Sequence, residues 1–126
     1  MSAITVTTVG KNLLRDARKG TNTAKVTYVA LGTGNSAPTA AQTRLDAEIF
    51  RKAISSYTSG GTGESLANGY IAPTDAVGVA IAEVAFFGGS SATSTPNSGI
   101  MIARGLYAHT KLGTESITMV FDETIT

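Results

Sequence analysis

The stretch Val77-Gly78-Val79-Ala80-Ile81-Ala82-Glu83-Val84-Ala85-Phe86-Phe87 decides how this chain is read. Apolar residues fill both alternating faces, which predicts a central strand, or a loop leading into one, covered on both sides. The run is too short and too interrupted to span a bilayer. Glu83 breaks it, and an acid in that setting is either buried with a partner or sits at a strand start facing out. Arg51 and Arg104, both in apolar-flanked segments, are the candidate partners. A structural ion pair is the simpler reading than a catalytic acid, because no second carboxylate stands near Glu83 in sequence.

Downstream, Gly88 to Ser98 reads as an exposed loop, followed by extended segments over Gly99 to Ala108 and Glu115 to Glu123 with a short connection near Leu112-Gly113. In the last segment Ile117, Met119 and Phe121 alternate with Ser116, Thr118 and Asp122, the pattern of a half-buried strand. Upstream, Asn68-Gly69 predicts a tight turn. Ser59 to Glu64 predicts a mobile glycine-rich loop. Lys52 to Thr58 reads as extended, and Thr39 to Phe50 as one or two helical turns with Leu45 and Ile49 pointing inward. Ala24 to Leu31 is a β-branched and aromatic run that pairs in the middle of a sheet, and Gly32 to Pro38 closes it with a dense loop.

One helix is expected. Thr7 or Thr8 caps its start and Gly20 stops it. Val9, Leu13, Leu14 and Ala17 share one side, with Lys11, Arg15, Arg18 and Lys19 on the other. These elements predict one domain over residues 1–126. Its class is mainly β or α+β, an antiparallel or mixed β-sandwich with one N-terminal helix packed against the sheet. Val26, Tyr28, Leu45, Ile49, Ile81, Phe86, Ile102, Ile117, Met119 and Phe121 are the expected core.

Composition narrows the chemistry. Glycine, serine and threonine make up about a third of the chain, which excludes a helical bundle. Cysteine is absent and His109 is the only histidine. Disulfides, thiolate nucleophiles, zinc fingers and multi-histidine metal sites are therefore excluded, and no metal or other cofactor is expected. Met1 to Gly10 has neither a basic start nor an apolar centre, so no secretory leader is expected. Residues 1–52 carry eight basic and three acidic side chains, whereas residues 53–126 carry two and six. That basic excess is small for a nucleic-acid binder, and no tryptophan is present for stacking. The asymmetry suits complementary contacts between proteins, copies of this chain included.

Three catalytic patterns fail. Gly32-Thr33-Gly34 leads to Ala37-Pro38, and Gly60-Gly61-Thr62-Gly63-Glu64 puts a carboxylate where a phosphate loop needs lysine, so both read as turn glycines. His109 with Asp122 or Glu115 behind it lacks a serine on a strained elbow. Nine acids spread thinly offer no pair for glycoside cleavage. The stripe Lys11, Arg15, Arg18, Lys19 is either a solvated helix face or a docking face for an acidic partner. Without bulky interfacial aromatics it binds membranes weakly.

The order of segments carries a resemblance. Val9-Gly10-Lys11 to Leu13-Leu14 leads to Val26–Leu31 and Gly32-Thr33-Gly34. Ala37-Pro38-Thr39-Ala40-Ala41-Gln42-Thr43, Leu45 and Glu48-Ile49-Phe50-Arg51-Lys52 follow, then Ala82-Glu83-Val84-Ala85-Phe86-Phe87-Gly88, Ala103-Arg104 and a final alternating strand. Over nearly its whole length the chain resembles the N-terminal module of tail-collar fibre proteins of tailed bacteriophages. In that family a "GTG" or "GDG" loop precedes a "T-x-L-x-x-E-x-x-R" segment and a Glu-containing strand ending in Phe and Gly. The resemblance implies a non-enzymatic virion protein, assembled in the host cytoplasm, that attaches to other virion proteins and to copies of itself as a homo-oligomer. Family members continue into a long trimeric shaft, so a short module is expected to serve as a tail, collar or baseplate fibre adaptor. A capsid decoration protein on the head exterior is the alternative within that class, and a carbohydrate-binding module the alternative outside it. The loops Gly32–Pro38, Ser59–Glu64 and Gly88–Ser98 are the expected contact or exposed elements, with the basic helix stripe second.

Overall fold

Every strand pairing in the computed structural model is antiparallel, and the strands divide between two sheets. The structure describes residues 4–125. In chain order the elements are β1 (Ile4–Val6), α1 (Thr8–Arg18), β2 (Val26–Gly32), β3 (Glu48–Ala53), β4 (Ser56–Ser59), β5 (Glu64–Ile71), β6 (Ala80–Gly88), β7 (Ile100–Thr110) and β8 (Ile117–Thr124). The five-stranded sheet runs β1-β7-β6-β2-β3 and the three-stranded sheet β4-β5-β8. The class is mainly β with one helix, a sandwich of two packed sheets, as the apolar patterning predicts.

The helix starts where the sequence offers a cap. Thr7 takes that role, its Oγ1 accepting from Gly10 N at 2.9 Å, and the same hydroxyl donates to the Met101 carbonyl on β7. One short polar side chain thus ends the helix and ties it to the sheet. Leu13 then enters the main core, joined by Val29 and Leu31 of β2, Val84 and Phe86 of β6, Ile71 of β5, and Met119 and Phe121 of β8. The Phe86 and Phe121 rings stack across the two sheets at 5.2 Å.

A second, smaller cluster lies on the other face of the five-stranded sheet. Ala30, Ala85, Phe87 and Met101 are covered there by Leu45 from the connection between β2 and β3. Thr39 to Phe50 forms no helix; it is irregular up to Ala47 and then enters β3. Leu45 points inward as expected, but Ile49 is 46% exposed. The cause is a bulge. Leu31 faces Phe50 while Gly32 faces Glu48, so Ile49 is the extra residue and is turned out of the ladder. Val26, Tyr28 and Ile117 are half-buried rather than central.

Asn68-Gly69, expected at a turn, sits inside β5. The tight fit of the two sheets explains it, because a Cβ on Gly69 would stand 2.7 Å from Val29 Cγ1. Glycine here allows close approach, and Asn68 reaches across to the hydroxyls of Ser56 and Thr58 on β4, each at 3.2 Å. The Ser59–Glu64 segment is a closed hairpin end rather than a free loop. Gly60 N donates to Glu64 O at 3.0 Å, and Gly61 N to Glu64 Oε1 at 2.9 Å.

Candidate functional site

The charged residues singled out by the sequence meet on the outer face of the five-stranded sheet, the face turned away from β4-β5-β8. Register places Arg104, Ala85, Ala30 and Arg51 side by side in one row across β7, β6, β2 and β3. The neighbouring row holds Glu83, Gly32 and Glu48. Two small alanines separate the arginines, and a side-chain-free position separates the glutamates.

Of its two candidate partners, Glu83 takes Arg104. Arg104 Nε donates to Glu83 Oε1 at 2.9 Å, and both side chains are 0% exposed. The Glu83 carboxylate also accepts from the backbone N–H of Gly34, Asp46 and Ala47, each at 2.9 Å. The remaining guanidinium donors reach the Ser36 carbonyl at 2.9 Å, Gln42 Oε1 at 3.3 Å and Asp46 Oδ2 at 3.1 Å. The segment between β2 and β3 is therefore a strap fastened by one buried ion pair. Gly32-Thr33-Gly34 has its purpose here, because a Cβ at either glycine would collide with the Glu83 carboxylate. Asp46 is held below the usual carboxylate range by the Ser36 hydroxyl and N–H, helped by the charge of Arg104.

Arg51 instead pairs with Glu48. Nε donates to Glu48 Oε2 at 2.8 Å and Nη2 to Oε1 at 2.9 Å, with side-chain exposures of 2% and 0%. In a regular strand residues three apart point to opposite faces, and the Ile49 bulge is what brings this pair together. Arg51 Nη1 then donates to the carbonyls of Thr93 and Ser98 at 3.0 and 2.9 Å, and its guanidinium lies 4.1 Å from the Phe87 ring centre. Asn97 N closes the arrangement onto Glu48 Oε1 at 3.1 Å. The Gly88–Ser98 loop is a second strap, fastened like the first.

These groups have no chemistry to spare. Glu83 accepts four hydrogen bonds in a site closed to water, so it has neither the access nor the free lone pair of a general acid. No buried side-chain nitrogen or oxygen among the described residues lacks a partner. His109 Nε2 contacts Glu115, whose carboxylate also accepts from Leu112 N at 3.0 Å. This pins the turn after β7, and no serine hydroxyl bonds His109 among the described residues. Asp46 is a latch residue that the sequence reading missed, and Gln42 and Glu48 entered it only through the resemblance, with no latch role given to them. The Glu48-x-x-Arg51 spacing was the available signal, but it points to one face only when a bulge is known.

Lys11, Arg15 and Arg18 of α1 and Lys19 at its C-cap are all exposed, but of the expected apolar side only Leu13 is fully buried, while Leu14, 38% exposed, sits at its margin one turn from Lys11 and Arg18. Arg15 folds onto its neighbour Asp16 at 2.9 Å. A groove of about 160 Å³ opens at the sandwich mouth between Val26 and Phe121, and Lys25, Tyr57 and Glu123 are its ionisable groups among the described residues. Lys25 lies over the Tyr57 ring at 5.1 Å, and the Tyr57 hydroxyl is bound to the Val26 carbonyl. Among the described residues no group of three or more histidine or acidic side chains could hold a metal, and no helix is long and apolar enough to cross a membrane. No family model, curated protein or solved structure matches the chain.

Proposed function

We propose that this chain is a non-enzymatic structural protein of a tailed-phage virion, attaching to other virion proteins at the tail, collar or baseplate and assembling with copies of itself. The observation that carries the reading is the use of the resemblance residues. Leu45, Glu48, Arg51 and Glu83 build the core of two straps. A module whose buried charges hold long loops rigid presents a preformed surface, and a rigid surface binds with less ordering cost than a mobile one. Rigidity without a reactive cleft suits a component that docks.

The carbohydrate-binding alternative needs open aromatic platforms. Tyr57 and Tyr70 are the exposed aromatic rings, and each already carries a lysine, Lys25 and Lys52, at 5.1 and 5.6 Å. Co-sedimentation of the purified protein with particles is the test. Binding to particles and not to a glycan panel supports the virion role, and glycan binding without particle binding overturns it. Density for the chain on the head exterior would move it from tail adaptor to capsid decoration.

A further inference from the structure

The fold pairs most of its acids internally: Asp16, Asp46, Glu48, Asp75, Glu83 and Glu115 each meet a basic group. Glu64, Asp122 and Glu123 form no ion pair among the described residues, and all three lie on β5 or β8. Glu123 faces inward, along a groove that it shares with Lys11. Glu64 and Asp122 instead lie together on the outer face of the three-stranded sheet, where a hydrogen bond to the Glu64 carboxylate, then burial and the Glu64 charge, raise the Asp122 carboxyl. Once both are ionised they are two adjoining negative charges with no cation of this chain beside them, and a cation from outside neutralises them.

The surplus of the opposite sign sits elsewhere. Lys11 and Arg18 on α1 and Lys19 at its C-cap are exposed without an ion pair among the described residues, and Lys11 and Arg18 lie one helical turn either side of Leu14, which is 38% exposed. The two surfaces also differ in what covers them. Straps close the outer face of the five-stranded sheet, and β5, β8 and α1 close its inner face. The outer face of β4-β5-β8, with Leu66, Asn68, Tyr70 and Val120 on it, has no covering element among the described residues. The dimensions agree. An eleven-residue helix is about 16 Å long, and eight residues of β5 extend about 27 Å.

Resting on the self-assembly proposed above, we infer that α1 of one copy docks on the outer face of the β4-β5-β8 sheet of the next. Lys11, Arg15 and Arg18 meet Glu64 and Asp122, and Leu14 meets Leu66. The contact joins two different surfaces, so it is head-to-tail and closes into a ring when the rotation between copies permits. The charge asymmetry of the sequence then has a use, since the acids without an internal ion pair, Glu64, Asp122 and Glu123, all lie in its second half and Lys11, Arg18 and Lys19 in its first.

Sedimentation of the purified full chain over a concentration series, at low and high salt, tests this. Self-association is expected at low salt and weakens at high salt. Lys11→Glu with Arg18→Glu, or Glu64→Lys with Asp122→Lys, is expected to weaken association about tenfold or more, and all four changes in one chain to restore it. Of the four substituted positions Lys11, Arg18 and Asp122 are exposed and Glu64 is half-buried, and a native circular dichroism spectrum confirms that each variant is folded. A chain that stays monomeric at low salt overturns the contact. So does an oligomer indifferent to the reversals, or a folded four-fold variant that stays dissociated. Particles play no part in this experiment, so a monomer that still binds particles overturns only this contact, and an oligomer that ignores particles overturns only the virion role.

Discussion

Arg104 and Glu83 meet at 2.9 Å with neither side chain reaching solvent, and between them they hold the backbone of Gly34, Ser36, Asp46 and Ala47. Removing one partner strands the other as a buried charge. Glu83→Gln is expected to cost about 3 kcal/mol or more, read as a fall in the urea midpoint. The double variant Glu83→Gln/Arg104→Met should lose less than the two single losses added together. An unchanged midpoint in Glu83→Gln would show that the pair does not hold the strap.

Arg51 anchors the other strap through three contacts to Thr93 and Ser98 and a forked pair with Glu48. Arg51→Met keeps the stem over Phe87 but removes all of these donors. Amide exchange at residues 93–98 is expected to rise strongly, with the centres of β6 and β7 nearly unchanged. Arg51→Lys should restore little, because an ammonium cannot fork onto Glu48 and reach both carbonyls at once. Equal exchange in the parent and Arg51→Met would sink the latch.

Gly69 faces Val29 where the sheets pack closest. Gly69→Ala forces a methyl into that gap and is expected to cost about 1–3 kcal/mol. Val29→Ala on top of it should give back part of the loss, since the two changes share one space. If thermal melts of the two single variants add without coupling, the close approach is not the reason for glycine.

Acid is expected to loosen the loops before the core. Asp75 is lowered from its ordinary value, 3.8, first by the Lys52 ammonium and then by Ala72 N–H. Asp46 is lowered from 3.8 chiefly by Ser36, and Glu115 from 4.5 by Leu112 N–H and then His109. A group lowered in the folded state contributes stability above its unfolded pKa and loses it as pH falls through the folded one. These three contributions therefore fade below about pH 4. Asp122 runs the other way: raised by Glu64, it stabilises below its unfolded value and loses that contribution as pH climbs. Urea midpoints from pH 6 down to 3 check this, with Asp75→Asn expected to flatten the decline.

Much of this architecture was legible before any contact was known. The two-faced apolar run Val77 to Phe87 read as a central strand or a loop leading into one, and it is both, its first three residues leading into β6, which β7 and β2 flank. Alternation of Ile117, Met119 and Phe121 marked the inner side of β8, and the Thr7 cap with its basic stripe marked α1. Each of these signals is local. Periodicity along a strand or helix reports which side meets water, and a cap is satisfied within one turn.

What only the tertiary structure decided was register and partner. Ile49 reads as an inward apolar residue until a bulge turns it out, and the same bulge puts Glu48 beside Arg51. Asn68-Gly69 carries a strong turn signal, yet the approach of Val29 from the other sheet keeps both residues in β5. The choice of Arg104 over Arg51 for Glu83 follows from strand order, since β7 and not β3 lies next to β6. Bulges and strand order are settled by contacts between residues far apart in the chain. No local pattern encodes them, because the same residues satisfy either arrangement until the rest of the sheet is in place.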